Sequence, residues 1–188
     1  MTDIHLAAPT APEELRQLFL EACARPTDIH QHLTVLRDTG SGQKHITEMG
    51  VGTGQSTLAW LLVQPEKLVC YDLGWQECIP TLQRVKGQTD FRFFLGSSLH
   101  VEIEETDLLF IDTSHSYRAL REELRLHAPK VRNHLVLHDT TTFADHGEDG
   151  STPGLWQAVE EFLAANPHWR ILSRHHHSNG LTILGRNQ

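Results

Sequence analysis

A doubly wound α/β fold, with a mostly parallel seven-stranded sheet closed by an antiparallel hairpin, is what this sequence predicts. Three observations carry that expectation. From residue 44 onward, β-prone and helix-forming segments alternate at the pace of βαβ units. A strand, a glycine-rich turn and a helix follow one another without a gap over 44–64. The last two β-prone runs, 169–174 and 181–184, are joined by a His/Ser/Asn/Gly link too short for a crossover helix, so they must pair antiparallel.

The elements can be justified in order. Thr10 and Glu13 have capping-box spacing, with Pro12 tolerated in the first turn, and Leu15, Leu18, Phe19 and Ala22 then recur at helical intervals to about residue 24. Asp28 is the expected cap of a second short helix carrying Ile29, Leu33 and Leu36 and stopped by Gly40. Both helices precede the glycine turn and should pack over it. A strand from Lys44 ends at Glu48, and after the turn a helix runs over 56–64. Buried strands are expected at 67–72, 91–95, 107–112 and 135–139, with helices near 77–85, 116–127 and 155–165. The irregular stretch 140–154, TTTFADHGEDGSTPG, follows the carboxyl end of a strand, where open α/β sheets bind ligands.

Composition narrows the function classes. A chain of 188 residues forms one domain, or one domain with a small helical extension, and needs no metal or disulfide staple to fold. The formal charge of −8 argues against a general nucleic-acid binder. Cys23, Cys70 and Cys78 form no CxxC pair and read as free thiols in a reducing cytoplasm. There is no basic leader around Asp3, and the longest apolar run, 58–63, is far below a membrane span. The expectation is a cytoplasmic protein without signal peptide or membrane partner. The histidine run 175–177 precedes the final strand, so it is not a terminal tag.

The run KHITEMGVGTGQST (44–57) is the most specific signal. Its glycines remove Cβ atoms that would block a ligand and permit positive φ. A dinucleotide fingerprint requires G-x-G-x-x-G/A, yet the sixth position is Gln55 counting from Gly50 and Thr57 counting from Gly52. A P-loop requires a Gly-Lys pair that is absent here. What remains is E-x-G-x-G-x-G. Glu48 would repel a pyrophosphate but suits a ligand with a positive charge. The run resembles motif I of the class I S-adenosylmethionine-dependent methyltransferases. That resemblance implies that Glu48, Gly50, Gly52, Gly54 and Ser56 contact S-adenosylmethionine, with 43–188 the cofactor-binding domain and 1–42 a helical extension or lid.

Further residues fit such a site. Asp72 ends the next strand at the spacing where an acid takes ribose hydroxyls. Ser97 and Ser98 close the following strand and could meet the adenine edge. Asp112 and Asp139 end two strands expected to be neighbours. Two unpartnered carboxylates would repel, and a divalent cation such as Mg²⁺ would resolve the repulsion; Asp residues at strand ends also cap helices or bind ligands directly. His138 should alternate away from Asp139, although a strand end can bend it into the site. His115, three residues past Asp112, is placed either to remove a proton from an acceptor hydroxyl or to cap the next helix.

FIDTSHSYRALREEL, VLHDT, PGLWQAVEEFL and SNGLTILGR are similar to segments of the small metal-dependent O-methyltransferases that include cephalosporin-pathway and macrolide-sugar enzymes. The resemblance covers 48–186. It implies Mg²⁺ on Asp112, Asp139 and the His138 position, His115 as base, and Asp112 also against the cofactor. Two departures stand out: His138 where some members have Glu, and Thr113-Ser114 where Gly-Asp is usual. The expected activity is methyl transfer to a hydroxyl of a small molecule, a sugar or a secondary metabolite. His146, Glu148 and Asp149 are candidate substrate contacts, and the helical extension could serve a homo-oligomer. The competing expectation is a cofactor-binding partner subunit without catalysis. No element of the kind that holds a flipped base is present, so nucleic acid is not an expected acceptor.

Overall fold

The computed structural model describes residues 12–187, which leaves Thr10, the expected cap of the first helix, outside the described residues. The described chain runs α1 (Glu13–Ala24), α2 (Leu33–Gly40), β1 (His45–Met49), α3 (Gln55–Leu62), β2 (Lys67–Asp72), α4 (Ile79–Val85), β3 (Asp90–Leu95), β4 (Thr106–Ile111), α5 (Tyr117–His127), β5 (Val131–His138), α6 (Leu155–Ala165), β6 (Trp169–His175) and β7 (Leu181–Arg186). The strands form one sheet in the order β3-β2-β1-β4-β5-β7-β6. β1 to β5 are parallel, and β7 runs antiparallel between β5 and β6. The expected fold is the observed one.

Two local expectations change. Pro12 is the residue before α1 rather than part of its first turn, and it offers no side-chain cap. Asp28 does not cap the second helix. Thr27 does the comparable work, with its hydroxyl accepting from the His30 backbone N–H at 3.2 Å, and a short 3-10 turn, His30–His32, leads into α2. Thr27 also donates to the Gln55 side chain at 2.8 Å, which ties the N-terminal segment to the start of α3.

The pleat divides the core into two layers. Ile46, Leu68, Leu108, Phe110 and Val136 face α1, α2, α3 and α4, where Leu15, Phe19, Leu36 and Trp60 are buried. Met49, Leu109, Ile111, Leu135 and Leu137 face α5 and α6. Because both faces are covered, β4 is buried along its whole length, and its last four residues, Leu108 to Ile111, form a continuous apolar run, as in parallel strands.

Register determines what meets at the carboxyl edge. Met49 pairs with Ile111, and Ile111 with Leu137, so the glycine turn, Asp112 and the His138-Asp139 corner leave the sheet side by side. The turn and β4 touch. Gly50 has φ +86°, and a Cβ there would lie 1.7 Å from the carbonyl oxygen of Asp112. Asp112 N–H donates to Met49 O, and Gly50 N–H to Tyr71 O, both at 2.9 Å.

Gly50→Ala is therefore expected to cost about 2–5 kcal/mol, from about 1–2 for left-handed backbone and about 1–3 for overpacking. Gly52→Ala meets no atom within 4 Å and should lose only about 1–2 kcal/mol. Urea unfolding midpoints of the two variants read the difference. Equal losses would refute the close-contact argument.

Candidate active site

The glycine turn stands on a buried carboxylate. Glu48 is fully buried and accepts from Thr57 Oγ1 (2.6 Å), Trp60 Nε1 (3.2 Å) and Cys70 Sγ (3.1 Å). Burial pushes its carboxyl up to about 7, against the opposing pull of donors that include Ser56 and Thr57. Glu48 therefore braces β1, β2 and α3 from beneath. The expected contact with a ligand's charged end finds no exposed carboxylate oxygen here. Ser56 is likewise buried inside α3.

Asp72 sits on the turn from the other side. Its Oδ2 accepts from the N–H groups of Val51 (2.9 Å) and Gly52 (3.2 Å), and its Oδ1 from Gly74 N–H (3.2 Å). Burial raises its pKa, but these backbone donors outweigh it and hold the carboxyl below its ordinary value. Gly54, at φ 82°, starts α3 in left-handed geometry. Leu73, Trp75, Phe94 and Leu95 leave an exposed apolar rim along the ends of β2 and β3. Ser97 Oγ accepts from Leu99 N–H (3.2 Å), and Ser98 Oγ donates to Glu123 at 2.5 Å.

Next to the turn, four titratable side chains converge. His138 Nδ1 lies 3.3 Å from Asp112 Oδ1 and 3.0 Å from Asp139 Oδ2. His115 Nε2 lies 2.8 Å from Asp139 Oδ2 and 3.8 Å from Asp112 Oδ1. Strand alternation would have separated His138 from Asp139. Asp139 instead adopts φ 61°, so the pleat ends there and the two side chains turn to the same place. The helix-capping alternative for His115 also falls, because Ser116 Oγ accepts from Ala119 N–H and caps α5. Burial opposes protonation of both imidazoles, yet the two carboxylates outweigh it and lift each to about 10. Burial favours the neutral acid at Asp139, but the two histidines hold it far below the usual carboxylate range.

The 140–154 loop closes over His115. Phe143 stacks on the imidazole with ring centroids 4.6 Å apart and planes 9° from parallel. Glu148 Oε2 lies 3.2 Å from His115 Nδ1, and Glu148 N–H donates to the His115 carbonyl at 2.8 Å. Of the loop's other candidates, His146 is exposed and Asp149 accepts from Ser151 N–H within the loop.

Sequence reasoning passed over Phe143, Glu123 and His32. Phe143 carries no spacing signal. Glu123 is buried on the apolar stripe of α5, beside Leu120, Leu124 and His127, and accepts at 2.5 Å from both Ser98 and Thr113. A carboxylate within an apolar i, i+3, i+4 pattern could have revealed it. His32, wholly buried, donates from Nε2 to the carbonyls of His177 (2.9 Å) and Ser178 (3.1 Å) and packs edge-on against His138.

The donor set fits a divalent cation. Asp112, His138 and Asp139 each offer one ligand atom, all within 4.8 Å of one another, and Asp139 Oδ1 is buried without a partner. No described helix is long and apolar enough to cross a membrane.

No protein-family model matches the sequence, and no curated protein is detectably similar to it. Solved structures are. A Staphylococcus aureus protein provisionally described as a caffeoyl-CoA O-methyltransferase superposes with a TM-score of 0.68 at 14% identity, covering 93% of this chain and 91% of its own. An O-methyltransferase from Bacillus cereus in complex with SAH gives 0.65 at 14%, covering 98% and 94%. The N-methyltransferase NodS from Bradyrhizobium japonicum gives 0.62 at 15%, covering 85% and 94%. At such identities the likeness establishes the class I methyltransferase fold, and one fold carries acceptors of different chemistry.

Glu48 generates a pH prediction. Its folded pKa of about 7 lies above the ordinary 4.5, so the folded state binds more protons within that window. The stability it contributes is fully present below about 4.5 and is lost as pH rises to about 7, by up to about 3 kcal/mol. Glu48→Gln, whose amide can meet the same hydroxyl, thiol and indole, should flatten that slope in urea titrations from pH 4.5 to 8. An unchanged slope would refute the assignment.

Proposed function

We propose that this protein transfers the methyl group of S-adenosylmethionine to a hydroxyl of a small molecule. The observation that carries the reading is the junction of two clusters. The backbone of Asp112 rests on Gly50 of the open glycine turn, while its side chain joins His115, His138 and Asp139. A donor over the turn and an acceptor at the carboxylates would thus be neighbours, and in-line transfer gains most from such proximity.

The turn's surroundings fit the cofactor. Gly52 faces open space, Asp72 stands at the end of β2 as an acceptor for ribose hydroxyls, and the apolar rim of Leu73, Trp75 and Leu95 suits an aromatic base. Glu48 serves indirectly, by holding the turn.

His115 is the base of this proposal, and its surroundings state the condition for that role. Against the effect of burial, Asp112 and Asp139 beside it lift its pKa well above the ordinary value and favour the protonated ring, which is not a base. A divalent cation held by Asp112, His138 and Asp139, expected from the sequence to be Mg²⁺, would take up the carboxylate charge and acidify an acceptor hydroxyl. Glu148 is exposed, so an acceptor hydroxyl can displace it from His115 Nδ1 and hand its proton there. Phe143 holds the ring in place and shields it from water. The loop composition suits a polar acceptor such as a sugar or a phenol.

Calorimetry with S-adenosylhomocysteine tests the cofactor part: wild type should bind, and Asp72→Ala should bind at least about 10-fold more weakly, as expected for loss of a charge-assisted hydrogen bond worth about 1.5–3 kcal/mol. Labelled cofactor offered with a panel of sugars and phenols tests transfer. There His115→Ala should lower turnover by about 10²–10⁴ while leaving S-adenosylhomocysteine affinity unchanged. Binding without turnover on any acceptor would favour a cofactor-binding partner subunit instead.

A further inference from the structure

The chemistry of the cation site departs from what Mg²⁺ requires. Mg²⁺ prefers an octahedral shell of hard oxygen donors, and imidazole is a donor for transition ions. Here the imidazole is central. His138 Nδ1 stands 3.3 Å from Asp112 Oδ1 and 3.0 Å from Asp139 Oδ2. Donors sharing one ion at about 2.1 Å are separated by about 3.0–3.4 Å in octahedral or tetrahedral arrangement, so these two spacings, hydrogen-bond distances without an ion, also match those of common ligands. His138 cannot move aside to leave an all-oxygen site. Its side chain is 1% exposed, and the ring packs against His32, which is itself pinned to the carbonyls of His177 and Ser178. Asp139, also buried, keeps Oδ1 without any partner.

We propose that Asp112, His138 and Asp139 form a mixed nitrogen–oxygen site for a first-row transition dication, Mn²⁺, Fe²⁺, Co²⁺ or Zn²⁺, in preference to Mg²⁺. His138 Nδ1 is the donor that sets this preference, and His32 is a positioning residue that holds the imidazole edge in place. The inference rests on the cation part of the functional reading and is independent of methyl transfer.

The test uses metal-free full-length protein without cofactor or acceptor. Calorimetric titrations with Co²⁺ and with Mg²⁺ give the selectivity ratio of wild type and of His138→Glu, which restores an all-oxygen set. The ratio should favour Co²⁺ in wild type and shrink by more than about 10-fold in the variant, the scale that loss of an outer ligand contact alone can reach. Pulsed EPR of the Mn²⁺-loaded protein should show imidazole nitrogen coupling in wild type and none in His138→Glu. Should the variant fail to fold, paramagnetic broadening of the His138 signal in ¹⁵N-histidine-labelled wild type reads the same contact. Equal affinity for Mg²⁺ and Co²⁺, absent nitrogen coupling, a ratio unchanged in the variant, or no binding of either ion would overturn the proposal. Nitrogen ligation with no methyl transfer to any acceptor would instead sink only the functional reading.

Discussion

The carbonyl oxygen of Asp112 lies where a side chain of residue 50 would begin, and the rest of the site is built around that contact. It forces glycine and a positive φ at the turn. It also locks the end of β1 to the end of β4 through the Asp112 to Met49 hydrogen bond. Because β1 and β4 are adjacent only through a crossover, this is the point where the sheet's winding changes direction and the helices diverge to either face. The opening between them is a consequence of topology.

Each side of that opening carries a carboxylate used in a different way. Glu48 is sealed beneath the turn, where burial makes ionisation costly and its oxygens serve as a brace. Asp139 is equally buried yet ionised, because two imidazoles face it. The contrast is one of partners rather than depth. Hydroxyl, thiol and indole donors cannot supply the positive charge that a buried carboxylate needs, whereas histidines can. Glu48 therefore contributes to the fold, and the Asp112, His115, His138 and Asp139 cluster is left with charges that a ligand or an ion can redistribute.

The histidine-rich composition finds its place in this arrangement. His138 belongs to the cluster, His32 backs it, and His177 holds His32 through a main-chain carbonyl. The link between β6 and β7 is thus connected to the cluster through one buried ring. It also grips the 140–154 loop, whose Thr141 and Thr142 N–H groups donate to Asn179 O. That loop in turn lays Phe143 and Glu148 against His115. The N-terminal segment, the terminal hairpin and the loop after β5 converge on one edge although they are far apart in sequence.

Much of this was legible in the sequence. Hydrophobic periodicity located most strands and α-helices of the described chain to within a few residues, because the pattern records burial on one or both faces. β5 begins at Val131, four residues before the expected run, because its first half is largely polar and partly exposed. Glycine spacing identified the kind of turn, since only glycine tolerates its backbone. Asp112 and Asp139 could be paired in advance because both terminate apolar runs in a parallel sheet. Side-chain direction was not legible. That Glu48 points down and not out, that Asp139 leaves the pleat and brings His138 beside it, and that Phe143 and Glu148 close on His115 all depend on contacts between segments distant in the chain. Local pattern determines which backbone groups are buried and how they pair. Only tertiary packing decides which polar atoms find partners and which, like Asp139 Oδ1, are left for something else to bind.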